Sequence, residues 1–131
     1  MGNIDHQRFI GLLKGRFPEV VAMIDDCSEG LLHPEMGTFA RATQQAIDRQ
    51  DESTVRAHFQ FIDEVFRNAA PDVENAVYVS YLENLRLDVH KDGATRAREL
   101  LPPRMQRALT DLETYLDRLF AGEKPSTPPH P

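Results

Sequence analysis

Five apolar residues, Val55, Phe59, Ile62, Phe66 and Ala69, recur along the chain at intervals of 4, 3, 4 and 3. That spacing returns to one face only in a helix, where about 3.6 residues complete a turn. A half-buried strand would alternate by two. Arg56, Gln60, Asp63 and Arg67 fall on the opposite side, and Asp63 precedes Arg67 by four positions, the favourable acid-first order. Phe61 and Val65 widen the apolar face, so this helix is expected to pack on two sides.

The remaining segments read the same way. Phe9, Leu12 and Leu13 give residues 5–15 one apolar face. Pro18 suits a first helical position, where its missing N–H costs nothing. Val20, Val21, Met23 and Ile24 then mark a second helix with a stop near Gly30. Residues 31–33 form a connector. Pro34 opens a third helix, with Phe39, Thr43, Ala46 and Ile47 inward. Asp51 or Ser53 caps the fourth.

A fifth helix over 71–88 begins at Pro71-Asp72, with Val73, Ala76, Val77, Ser80, Tyr81 and Leu85 inward. Residues 77–82 are rich in β-branched and aromatic side chains, but the apolar pattern runs from Val73 to Leu87, too long for one strand. Asp92-Gly93 reads as a turn before a short helix over 95–101, which Pro102-Pro103 stops. A last helix over 104–120 carries Met105, Leu109, Leu112, Leu116 and Leu119. The prediction is an all-α compact bundle of five to six helices over 1–121. Residues 51–70 and 71–88 are able to pair as a solenoid-like hairpin. The Pro-rich tail 122–131 is predicted to be disordered.

With 131 residues a single domain buries roughly two thirds of its unfolded surface, enough to fold without a metal or disulfide. Cys27 is the only cysteine, which excludes a disulfide within the chain. The net charge of −6, from 21 acids and 15 bases, argues against binding nucleic acid or an anionic membrane. The start Met1-Gly2-Asn3-Ile4-Asp5-His6 lacks the basic and apolar regions of a signal peptide, so the expected address is cytoplasmic.

No pattern supports catalysis. The histidines show no paired metal spacing, and Ser28 and Ser80 have no strand–turn–helix elbow or patterned His partner. No cofactor is expected, and the chain is read as a non-enzyme. Asp25, Asp26, Glu29, His33 and Glu35 cluster around one bend. They offer carboxylates and an imidazole for a divalent cation, but the spacing is that of a solvated acidic loop rather than a dense oxygen cage. Asp63 and Glu64 form a second acidic pair. Glu83 and Asn84 interrupt an apolar stretch and read either as structural or as a polar contact on a binding face. Pro125 and Pro128 have polyproline-ligand spacing, although a disordered end is the simpler meaning.

Four stretches, Phe17-Pro18-Glu19, Leu31-Leu32-His33-Pro34-Glu35-Met36-Gly37, Phe61-Ile62-Asp63-Glu64 and Val79-Ser80-Tyr81-Leu82-Glu83-Asn84-Leu85, look like a family of small bacterial all-α domains of unknown function. The resemblance covers about residues 16–110, and its most specific stretch is Ser-Tyr/Phe-Leu-Glu-Asn-Leu. Size and acidity are similar to those of immunity proteins paired with bacterial toxins. The resemblance implies a non-catalytic protein-binding role and carries over no catalytic residue. The expected partner is a cognate toxin, met through Asp25, Asp26, Glu29 and Glu35, with Asp63 and Glu64 as a second choice. The alternative is a structural or regulatory homodimer.

Overall fold

The computed structural model describes residues 3–87 and 92–120. Among these residues seven α-helices follow one another: α1 His6–Arg16, α2 Pro18–Val21, α3 Leu32–Asp48, α4 Glu52–Arg67, α5 Pro71–Ala76, α6 Asp92–Leu100 and α7 Pro103–Phe120. Among the described residues there is no strand, only an isolated bridge between Ile4 and Ala69. The fold is all-α. The seven include α2, a single turn, so the long second helix expected as far as Gly30 is not formed.

The caps explain where helices begin. Asp5 accepts the N–H of Arg8 at 2.8 Å and starts α1. Asp51 accepts the N–H of Thr54 at 3.3 Å and its hydroxyl at 2.7 Å, which starts α4. The third helix starts two residues before Pro34, with extended Leu31 as its cap. Pro34 sits within the first turn, where its missing N–H leaves no bond broken.

α3 is the central element. α4 packs on one side of it, and the continuation of α5 packs on another. Residues 71–88 do not form one α-helix. The α form ends at Ala76, a π-helical turn covers Val77–Tyr81, a 3-10 turn covers Leu82–Asn84, and Leu85 is extended. Ala69 and Ala70 join α4 to α5, and the π segment beyond α5 lies against α3.

The core joins Phe9, Phe39, Phe59, Phe61, Ile62, Tyr81, Leu82 and Met105, all almost wholly buried. α4 buries Val55, Phe59, Ile62, Phe61 and Val65, the broad face that its pattern predicts. Phe39 stacks on Tyr81 at 5.1 Å and meets Phe61 edge-on at 5.6 Å, so aromatic contacts tie α3 to both neighbours.

Asp92 and Gly93 are not a turn but open α6. A Cβ at position 93 would stand 2.6 Å from the carbonyl oxygen of Ile47. Gly93 therefore serves close approach of α6 to the end of α3. Arg96 fixes α6 to α4 through both oxygens of Glu52, and Arg98 grips both oxygens of Glu113 on α7. Asp63 meets Arg104 of α7 at 3.6 Å rather than its own-helix neighbour Arg67. The tail 122–131 lies outside the described residues.

Candidate functional site

The acidic bend occupies the turns between α2 and α3. Asp25 accepts the N–H of Ser28 with its side chain at 2.8 Å, and its backbone carbonyl accepts the N–H groups of Ser28 and Glu29. Hydrogen bonding from the Ser28 side chain, and then from its N–H, holds the Asp25 carboxyl below its ordinary value. Gly30 has φ of 85°, a left-handed conformation that glycine adopts without steric cost.

The four carboxylates of this bend divide into two kinds. Asp25, Asp26 and Glu29 are exposed. Glu35 is 3% exposed and points inward. One of its oxygens accepts the N–H of Gly30 at 2.8 Å, and the other meets His6 Nε2 at 2.5 Å. Glu35 thus clasps the bend to the start of α1 and is not part of a solvated face. Its period in the sequence could not reveal this, because His6 is 29 positions away. Among the described residues, no group of three or more His, Cys, Asp or Glu side chains is placed to hold a metal ion.

Asp63 and Glu64 look elsewhere. Glu64 pairs with Arg16 at 2.5 Å, and the Arg16 guanidinium also lies over the Phe61 ring. Asp63 is mostly covered, and its Oδ1 is buried without a hydrogen bond although Arg104 stands nearby. Among the described residues, no hydrogen bond or ion pair joins this couple to the bend.

The tertiary structure brings together two of the stretches singled out in the sequence. His33 Nδ1 lies 2.7 Å from Ser80 Oγ, across 47 positions. A Cβ on Gly37 would touch Asn84 Nδ2 at 3.9 Å. The start of α3 and the π segment therefore form one junction. The π turn matters for this placement. Its wider ring turns Val77, Tyr78, Ser80 and Tyr81 inward together while Val79 is 40% exposed. Leu31, two residues before His33, is 52% exposed. Glu83 and Asn84 are both exposed, and Asn84 Nδ2 donates to the carbonyl of Ser80 at 2.8 Å. Asn84 braces its own turn, while Glu83 faces outward beside the junction.

Beneath the junction lies a buried polar trio. Thr43 Oγ1 is 2.9 Å from the Tyr81 hydroxyl, 2.8 Å from His58 Nδ1 and 3.1 Å from the Phe39 carbonyl. All fit one assignment: the Tyr81 O–H and the His58 Nδ1–H donate to Thr43, whose own O–H donates to Phe39. Burial lowers the His58 pKa to about 4, against the opposing pull of Glu19 and Asp51, and burial raises that of Tyr81. Both stay neutral near pH 7. Their role is to fasten the π segment to α3 and α4.

Residues 10–117 match the model of a domain of unknown function, DUF7674. The chain belongs to that family. The DUF7674 match extends beyond both ends of the stretch over which the resemblance was expected. It includes the whole acidic bend and the His33–Ser80 junction. No curated protein matches the chain, and no solved structure does. No described helix of this DUF7674 domain is long and apolar enough to cross a membrane.

Proposed function

We propose that the domain acts without catalysis, by binding another protein through the face where the start of α3, just after the acidic bend, meets the π segment. The observation that carries this reading is a pair of half-exposed apolar side chains, Leu31 and Val79, beside the His33–Ser80 contact. Asp25, Asp26 and Glu29 on the bend, and Glu83 just after the π segment, supply exposed carboxylates. Protein interfaces combine apolar anchors with a polar rim in this manner. The carboxylate rim, in a chain of net charge −6, fits a basic partner surface.

The partner we favour is a cognate bacterial toxin, whose active site or substrate path this face occupies. The small acidic domain and its resemblance to immunity proteins support that choice. The test uses a toxin domain encoded beside this gene. Co-expression rescues growth, and Asp26→Lys with Glu29→Lys slows association by an amount that shrinks as salt rises. Leu31→Ser instead speeds dissociation. An association rate unchanged at both low and high salt retires the acidic bend as the interface.

A homodimer is the second reading. It draws on Leu119, exposed on the same α7 stripe whose earlier members Leu109 and Leu112 are buried. Sedimentation over a range of concentrations separates the two: a self-associating chain that Leu119→Ser makes monomeric favours the homodimer.

A further inference from the structure

A groove of about 990 Å³ opens at the α3–π junction, with Gly37 and Asn84 in its lining. One wall is a polar stripe of α3, Arg41, Gln44, Gln45 and Asp48, at the spacing that shares a helix face. The facing wall carries Asn84 and Arg86 from the end of the 3-10 turn. Neither Leu31 nor Val79 is among its lining residues, which are dominated by guanidinium and carboxamide groups.

Two features make this more than a surface dent. Arg86 is fixed rather than free to drift at its backbone, since its N–H donates to Gln44 Oε1 at 2.9 Å. Gln44 also donates to Asp48 at 2.9 Å, so the single carboxylate among the lining residues already has a partner. Among the described residues neither Arg41 nor Arg86 makes an ion pair, although six other arginines do. Arg41 feels Asp25 only at longer range. Two arginines thus line one concavity, neither of them ion-paired among the described residues, in a chain whose overall charge is negative.

We infer that this groove binds a phosphorylated small molecule of nucleotide size. Guanidinium forks match phosphate oxygens in geometry and charge. Carboxamides such as Gln45 and Asn84 offer both donors and acceptors to the polar remainder of a ligand. The volume lies within the range of small-molecule sites. This inference does not depend on the protein-binding reading, which uses neither Arg41 nor Arg86.

The experiment is calorimetric titration of the full chain with ATP, inorganic pyrophosphate, inorganic phosphate and adenosine at constant ionic strength. Saturable binding of ATP is expected, with pyrophosphate weaker and adenosine silent. Arg41→Gln and Arg86→Gln should each weaken ATP binding by roughly tenfold or more. Arg107→Gln, exposed on α7 away from the groove, should leave it unchanged. Circular dichroism confirms that each variant is folded, and an unfolded one is replaced by the Lys variant, which keeps the charge but loses the fork. Absence of saturable binding by any phosphate compound overturns the inference. So does binding that survives both groove substitutions, or adenosine that binds as well as ATP.

Discussion

His58 shows how one side chain can be both core and titrating group. It is 2% exposed, packed edge-on against Phe17 and bonded to Thr43. Its folded pKa of about 4 lies below the ordinary value of 6.5. Between those values the unfolded chain takes up a proton that the folded chain refuses. Stability is therefore fully present above pH 6.5 and falls as pH drops toward 4, by up to about 3 kcal/mol from this residue. Asn at position 58 keeps an N–H donor but does not titrate. The stability gap between the parent and His58→Asn, read from urea melts, should narrow steadily over that pH window. A constant gap would mean that His58 is not the titrating group. Gly93 is limited by space instead. Gly93→Ala places a methyl against the Ile47 carbonyl, so it should destabilise by about 1–3 kcal/mol, although alanine is the better helix former. A variant as stable as the parent would mean that α6 shifts freely.

At the scale of elements, the ends of helices carry the information. α3 terminates with Gln50 at φ of 56°, its N–H bonded to the Ile47 carbonyl while that of Asp51 reaches the Ala46 carbonyl. This is a Schellman ending with glutamine where glycine is unstrained. Gln50→Gly should raise stability by about 0.5–1 kcal/mol in thermal melts, and a loss would show that the Gln50 side chain is needed against α6. The bend before α3 rests on the Glu35 clasp. Glu35→Ala removes the acceptor for both Gly30 and His6 and should cost about 1–3 kcal/mol. In a double-mutant cycle with His6→Ala the two losses should fall short of adding. Full additivity would mean that the two residues act separately.

For the molecule as a whole, burial divides the acidic residues more sharply than their positions along the chain. Asp26 and Glu29 are exposed, whereas Glu35, six positions after Glu29, belongs to the interior. Reversing Asp26 and Glu29 to Lys together should change stability by less than about 1 kcal/mol, as substitutions on a solvated surface do. Denaturant melts check this, and a larger loss would place these side chains in the fold rather than on a face. The same division governs the binding proposal, since only side chains that the fold does not use can be given to a partner.

Much of the architecture was legible from local rules. Repeats of three and four placed the apolar faces of α1, α3, α4 and α7, and the inward positions of Thr43, Ser80 and Tyr81 were read correctly. Those features depend on side chains within a turn or two of one another, where backbone geometry alone sets who faces whom. Other features depended on distant neighbours. The change from α to π at Val77, the opening of α6 at Asp92, the clasp of Glu35 on His6 and the meeting of His33 with Ser80 each require a partner dozens of residues away. Helical propensity is worth only about 0–1 kcal/mol per residue, less than burying one large side chain, so packing against α3 overrides it between Val77 and Asn84. The candidate site follows the same division. The acidic residues around the bend could be found by reading along the chain, but His33 met Ser80, and Arg41 and Arg86 came to line one groove, only when the chain closed on itself.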